Sequence, residues 1–86
     1  MPLKYSRRFI DKYVLLPLTV RNKVDKVLAL LETNFRHPGL QSHPILGSPG
    51  IYEARVDQKF RITYERSSDI LKIRNIDNHD ECLRNP

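Results

Sequence analysis

The sequence is short and basic, with 86 residues and a formal net charge of +5 at neutral pH. We expect one domain spanning residues 1–86, because a chain of this length has no room for a second hydrophobic core. The composition, 40% hydrophobic and 29% charged, is typical of a globular protein and argues against disorder. The single cysteine, Cys82, excludes an internal disulfide, and no apolar run could span a membrane, so we expect a cytoplasmic protein.

The positive charge is concentrated at the start of the chain. Residues 1–26 carry seven lysines and arginines against two aspartates, and the remainder of the chain is neutral overall. A basic face of this kind suits a polyanion such as nucleic acid. A solvated helical face would give the same pattern, so charge alone leaves both interpretations open.

The N-terminal half predicts two helices. Residues 2–5 are compatible with a short strand, and Ser6 is a suitable N-cap for the first helix, which ends before Pro17. Thr19 is the expected N-cap of the second helix. The link is short, so the two helices are expected to form an αα-hairpin. The apolar residues at helical spacing are Phe9, Ile10, Tyr13 and Val14, then Val20, Val24, Val27, Leu28 and Leu31.

Residues 35–50 lack clear periodicity and hold three prolines, all three glycines and two histidines. We expect a loop there, with at most one helical turn, and long loops in compact domains are often functional. The stretch from Gly50 to Glu65 then alternates as a β-hairpin around a polar connection at residues 57–59. One face is apolar and comprises Tyr52, Ala54, Val56, Phe60, Ile62 and Tyr64. The other is polar and comprises Glu53, Arg55, Asp57, Arg61, Thr63 and Glu65.

The last strand is predicted at residues 70–76, in a central position with apolar side chains on both faces. Two helices followed by antiparallel strands indicate an α+β fold, with the αα-hairpin packed on one face of a small antiparallel sheet. The opposite face is expected to be open to solvent. It would present Glu53, Arg55, Arg61 and, at the end of the last strand, His79.

This polar face is suited to cleavage of RNA. Attack by the 2′-hydroxyl needs a base, an acid and fixed positive charge around the phosphorus, roles that histidine and strand-held arginines can fill. Arg55 and Arg61 are expected on facing strands, and Glu53 could act as a base or tether an arginine. Charged side chains on a hairpin are more often merely solvated, which is the simpler interpretation.

Four stretches together resemble the RelE/ParE superfamily of bacterial type II toxins. They are the αα-hairpin, the HPGL stretch at 37–40, the hairpin GIYEARV…FRITY, and the last strand ending in His-Asp. The resemblance implies a compact α+β toxin neutralised by a cognate antitoxin. One branch of the family cleaves mRNA in the ribosomal A site, whereas the ParE branch poisons DNA gyrase.

The resemblance also implies site residues. Arg61 matches the arginine that stabilises the phosphate in RelE and YoeB, and Arg55 falls at a catalytic position of the RelE type. His79 matches the C-terminal histidine of YoeB and YafQ, and His43 resembles the loop histidine of YafQ. Glu53 departs from the pattern, because it stands where RelE has a basic residue.

The favoured hypothesis is therefore a ribosome-dependent mRNA endonuclease that needs no metal or cofactor. His79 would transfer a proton, His43 or Glu53 would complement it, and the two arginines would hold the phosphate. A gyrase-binding toxin without chemistry, or a degenerate member that only binds an antitoxin, is the alternative. The residues expected to contact RNA or the ribosome are Lys59, Arg7, Arg8, Arg21 and Lys23.

Overall fold

A computed structural model describes residues 1–86 and has an α+β fold, as predicted. The five strands form one sheet in the order β1-β5-β4-β3-β2, antiparallel except for the parallel pair of β1 and β5. The strands are β1 (Leu3–Tyr5), β2 (His43–Pro44), β3 (Ile51–Arg55), β4 (Phe60–Arg66) and β5 (Leu71–Asn78). The helices are α1 (Arg7–Tyr13), α2 (Leu18–Asn34) and α3 (His79–Arg84), with a 3₁₀ turn at Pro38–Leu40. No helix has the length and apolar character needed to cross a membrane.

The predicted αα-hairpin is present, with one difference at its second helix. Ser6 caps α1 as expected, its hydroxyl accepting a hydrogen bond from the Phe9 N–H at 3.0 Å. The expectation that Thr19 caps α2 is wrong, because the helix already begins at Leu18. Pro17 occupies the N-cap, and its carbonyl accepts from the N–H groups of Val20 and Arg21. Proline suits this position because its ring fixes φ and the start of a helix needs no N–H there.

The apolar hairpin face packs under α1 and α2, as the alternation predicted. Residues from both helices and from β3, β4 and β5 share one core on this face of the sheet. The buried cluster comprises Phe9, Val24, Val27, Leu31, Leu40, Ala54, Ile62, Tyr64, Leu71, Ile73 and Ile76.

Strand β5 is central, but its apolar residues do not divide between two faces as expected. Thr63 lies opposite Asn75 and Tyr64 opposite Ile73, so Arg74 is an extra residue in β5. This β-bulge shifts the alternation by one position. Leu71, Ile73 and Ile76 consequently all enter the same core, and Asn75 faces the other side beside Thr63.

The expectation of an open polar sheet face is also wrong. Glu53, Thr63 and Asn75 are fully buried, and α3 with the residues after it folds back across β4 and β5. Side chains of the sheet hold this segment in place by hydrogen bonds to its backbone. The Thr63 hydroxyl donates to the backbone oxygen of Pro86 at 2.7 Å, and the Asn75 amide donates to the Asn85 carbonyl at 2.8 Å.

Candidate active site

A row of polar side chains crosses four strands on the sheet face away from α1 and α2. His43 pairs with Glu53, Glu53 with Thr63, and Thr63 with Asn75 in the strand registers. Directly paired residues in a sheet point to the same side, so the row forms one surface. Its β5 end lies beneath the C-terminal segment, whereas its β2 end reaches solvent at His43.

Glu53 lies at the centre of the site, and its side chain has no exposed surface. Three cationic or potentially cationic groups approach the same carboxylate oxygen, Oε1. The His79 Nδ1 lies at 3.3 Å, the His43 Nε2 at 3.5 Å and the Arg61 Nε at 3.9 Å. Neither carboxylate oxygen has a hydrogen-bond partner within the protein. A buried carboxylate without hydrogen bonds costs stability, which makes this position a candidate for a functional role.

The two histidines are held by different elements, far apart in the chain. His43 belongs to the edge strand β2, and its Nδ1 lies 3.1 Å from the Gln41 carbonyl, which turns Nε2 towards Glu53. His79 is the first residue of α3, and its backbone N–H donates to the Lys59 carbonyl at 3.1 Å. About half of each imidazole is exposed, 54% for His43 and 46% for His79. Both imidazoles therefore lie next to Glu53 and remain partly open to solvent.

Arg55 and Arg61 lie directly opposite each other on β3 and β4. Arg61 is largely covered, and its guanidinium donates to the carbonyls of Asp57 and Phe60 in the hairpin turn. Arg55 forms no ion pair and no side-chain hydrogen bond. Like charges placed directly opposite in a sheet repel each other, and an anion between them relieves that repulsion. The pair is thus suited to binding a phosphate.

Two aspartates near the site stay ionised, while the one thiol stays neutral. Partial burial by itself raises the pKa of Asp57, but hydrogen bonds from the Phe60 and Lys59 N–H groups and from Lys23 hold that pKa below its usual value. The pKa of Asp77 is likewise lowered, because the hydrogen bond from Lys12 outweighs the effect of burial. Burial raises the pKa of Cys82 to about 12, so this thiol is a poor nucleophile.

The basic residues predicted to contact RNA lie outside the cluster around Glu53. Arg8 is exposed on α1, and Lys59 is exposed in the hairpin turn. Arg7 pairs with Asp11 and Lys23 with Asp57, whereas the Arg21 Nε is buried without a hydrogen-bond partner. None of these five side chains contacts Glu53.

Three further residues shape the site without being singled out by the sequence. Thr63 and Asn75 hold the segment that follows His79, and the Asn78 side chain caps α3 by accepting from the Glu81 N–H at 3.0 Å. The sequence feature that could have identified Asn75 is an asparagine within an otherwise apolar strand.

No group of three histidine, cysteine, aspartate or glutamate side chains is arranged to hold a metal ion. His37 lies apart and accepts from the Gly39 N–H within its own turn.

Neither a family model nor a curated protein matches the chain in sequence. Solved structures do match in three dimensions. YafQ from E. coli strain BL21(DE3) superposes with a TM-score of 0.74 and 23% identity over 94% of this chain and 96% of YafQ. The YoeB/ParE toxin from Agrobacterium tumefaciens gives a TM-score of 0.78 at 16% identity, covering 92% and 99% of the two chains. The chain has the RelE/ParE toxin fold. A chain of the intact E. coli RelBE toxin–antitoxin complex is similar too, with a TM-score of 0.73 and 18% identity over 90% and 94%.

The RelE/ParE fold accounts for the elements that carry the site. At these identities the likeness concerns the path of the backbone, and the chemistry rests on the side chains of this chain. Here that chemistry is a carboxylate, two imidazoles and two guanidinium groups on one face of the sheet.

Proposed function

We propose that the protein is the toxin of a bacterial type II toxin–antitoxin system and cleaves mRNA on the ribosome. The observation that carries the proposal is the convergence of His43, His79 and Arg61 on the buried carboxylate of Glu53. Arg55 stands beside them, opposite Arg61. Proton-transfer groups next to fixed positive charge are what phosphodiester cleavage requires.

In the proposed reaction the 2′-oxygen of a ribose attacks the adjacent phosphorus. One imidazole takes the proton from the 2′-hydroxyl, and the other gives a proton to the departing 5′-oxygen. The products are a 2′,3′-cyclic phosphate and a free 5′-hydroxyl, so no water, metal or cofactor is consumed. Arg55 and Arg61 bind the non-bridging oxygens, where negative charge accumulates in the transition state.

Glu53 acts as a positioning residue in this mechanism. A side chain with no exposed surface cannot reach the substrate, which removes it from the proton-transfer step. Its Oε1 instead faces Nδ1 of His79, and this leaves the Nε2 of that ring free to meet RNA. A carboxylate behind an imidazole fixes the ring's orientation and stabilises its charged form.

The ribosome supplies what the isolated site lacks. The two clefts on the molecule lie elsewhere, so the catalytic residues sit on a shallow surface that does not enclose a substrate by itself. An RNA strand held by a larger partner could be presented to such a surface. The exposed cations Arg8 and Lys59 are available for phosphate contacts, and we place the protein in the cytoplasm with its target.

The proposal includes a cognate antitoxin as partner. The structurally similar RelE chain belongs to a toxin–antitoxin complex. Large apolar side chains are also exposed together where α1 meets α2: Val14 at 61%, Leu15 at 83% and Leu18 at 63%. Clustered apolar exposure of this kind is typical of a protein-interaction surface.

The test is inducible expression of the chain without an antitoxin, followed by mapping of transcript 5′ ends. We expect growth arrest and new 5′ ends within translated regions. His79→Ala and Arg61→Ala should each abolish both effects, because they remove a proton-transfer group and a phosphate ligand. His37→Ala and Arg84→Ala are matched controls on an imidazole and a guanidinium that form no ion pair with Glu53, and both should remain toxic.

The same experiment separates the proposal from its alternatives. Full toxicity of the His79 and Arg61 variants, with both proteins folded, would refute the catalytic assignment. DNA damage without new transcript ends would instead indicate a gyrase-directed toxin. Absence of arrest despite a folded protein would indicate a chain that only binds its antitoxin.

A further inference from the structure

A second basic site lies on the opposite side of strand β3 from Glu53. Tyr52 precedes Glu53 and therefore points to the other face of the sheet. There it lines a cleft of about 480 Å³ at the C-terminal end of α2. The cleft residues on which the argument depends are Phe35, Arg36, Tyr52, Arg66, Ser67 and Ser68.

The Arg66 guanidinium is held between two aromatic rings. Its central carbon lies 4.4 Å from the centre of the Tyr52 ring and 5.3 Å from that of Phe35, and one amino group donates to the Tyr52 hydroxyl at 3.1 Å. Arg36 lies over the same Phe35 ring at 5.4 Å. Stacking fixes the plane of a guanidinium and leaves its N–H edge free to bind an anion.

The two cations of the cleft are not neutralised by the protein. Neither Arg36 nor Arg66 forms an ion pair, and no acidic residue lines the cleft. The adjacent Glu65 is engaged by Arg74 at 3.1 Å. The C-terminal end of α2 attracts a cation, which accounts for one arginine and not for a second on the same ring.

The rim of the cleft adds a free hydroxyl. The Ser67 hydroxyl is used within its turn, where it donates to the Ile70 carbonyl at 3.0 Å, but the Ser68 hydroxyl has no partner in the protein. Two guanidinium groups and a serine hydroxyl supply several donors and no acceptor charge. Such a set matches an anion with several oxygens, and phosphate fits it best.

We propose that this cleft, the Arg36–Arg66 cleft, binds a backbone phosphate of RNA at a second point outside the catalytic face. The choice of RNA among phosphate-bearing polymers rests on the proposed function, whereas the phosphate chemistry rests on the cleft itself. Tyr52 and Glu53 are neighbours on β3, so a strand passing the β2 edge of the sheet would meet both sites. The cleft then contributes affinity and register and takes no part in the cleavage step.

The test is binding of a labelled single-stranded RNA of about 12 nucleotides to the His79→Ala protein, in which we expect no cleavage, over a range of salt concentrations. We expect the added double substitution Arg36→Gln/Arg66→Gln to weaken binding about tenfold near 0.1 M salt. The slope of log affinity against log salt should fall by about 0.7, the contribution of one neutralised phosphate on single-stranded RNA. The matched control Lys26→Gln/Lys72→Gln removes the same charge from exposed positions and should weaken binding at most about twofold.

Equal losses in the two double variants would overturn the proposal, because overall charge would then explain the effect. Arg66→Lys keeps the charge without the stacked plane and is expected to lose about fivefold; undiminished binding would refute the stacked geometry as the source of affinity. An independent measurement needs no substitution in the cleft. The amide signals of residues 66–68 should shift in NMR spectra when the RNA is added to His79→Ala, and unshifted signals despite binding would refute the site.

These outcomes are separate from those of the cleavage experiment. If the protein cuts no transcript but binds RNA through Arg36 and Arg66, the proposed RNA site stands and the proposed enzymatic function fails. If variants without these arginines cut mRNA and bind RNA as well as the parent, the proposed function stands and the proposed RNA site fails.

Discussion

Different kinds of interaction stabilise the two faces of the sheet. The face under α1 and α2 is a continuous apolar core in which Ile62 and Ile73 have no exposed surface. The face under α3 is a row of buried polar groups, among them Glu53 and Asn75, connected by individual hydrogen bonds and ion pairs. Apolar packing is non-directional and tolerates repacking, whereas buried polar groups require each partner in place. Stability therefore depends mainly on the first face, and the proposed chemistry on the second.

The largest expected difference between the faces is in stability. Ile62→Ala removes a fully buried side chain from the apolar core and should lower the free energy of unfolding by about 3–4 kcal/mol. Urea denaturation monitored by circular dichroism measures the loss. Ile10→Ala, on the half-exposed side of α1, is the matched control and should cost less than about 1 kcal/mol. Similar costs at both positions would mean that the apolar face is not the main source of stability.

On the polar face the corresponding effect should fall on activity. Glu53→Gln keeps the shape of the side chain and removes the charge that orients His43 and His79. We expect RNA cleavage on ribosomes to fall about 100-fold, which is the range for disturbed acid–base catalysis. Stability should stay equal or rise, because a buried carboxylate without hydrogen bonds no longer has to be accommodated.

For Glu53→Gln the informative result is a loss of RNA cleavage without a loss of folding stability. Undiminished cleavage by Glu53→Gln would show that the carboxylate does not position the imidazoles. A large loss of stability would show that it is chiefly a structural ion-pair partner. Glu65→Gln, on the same hairpin and paired with Arg74, is the matched control and should change neither cleavage nor folding appreciably.

Most of the apolar face could be predicted from sequence. Alternation in β3 and β4 and helical spacing in α1 and α2 depend on neighbours only a few residues apart, and these local signals fixed which side chains enter the core. The bulge at Arg74 was not predictable in this way. It is an extra residue in one strand relative to its partner, so it exists only in the pairing of β5 with β4.

The polar face could be predicted only in part, for a related reason. Alternation tells which side chains share a face but not what covers that face. The sequence brought Glu53, Arg61, His43 and His79 into one hypothesis, and the structure places all four together. The prediction that these residues lie on an open sheet face was wrong. The burial of Glu53 and the return of α3 across β4 depend on contacts between residues far apart in the chain, which local sequence patterns do not reveal.

Thr63 offers a smaller test of how the polar face is covered. Thr63→Val is nearly isosteric and removes the hydrogen bond to the backbone oxygen of Pro86. The expected cost is about 1 kcal/mol, together with faster amide hydrogen exchange in α3 and a few-fold loss of cleavage through a less fixed His79. Thr33→Val is the matched control, since its hydroxyl donates to the Ala29 carbonyl at 2.8 Å on an exposed helix. If exchange in α3 is the same in both variants, Thr63 does not hold the segment.

The smallest expected effect concerns Cys82. This residue lies on α3 and packs against β4, and its thiol donates to the Arg61 carbonyl at 3.3 Å. Burial raises the pKa of this thiol from 9.0 to about 12. Between these values the unfolded chain releases the thiol proton and the folded chain keeps it, so the stability contributed by the neutral thiol is complete below pH 9 and declines above it.

Cys82→Ala should therefore be less stable than the parent at pH 8, with a difference in the free energy of unfolding that narrows by pH 10. Urea denaturation of both proteins at the two pH values measures this change, and the paired comparison cancels the titration of lysines and tyrosines. A difference independent of pH would mean that the thiol ionises as freely in the folded protein as in the unfolded chain, and that α3 leaves this part of the polar face open to water.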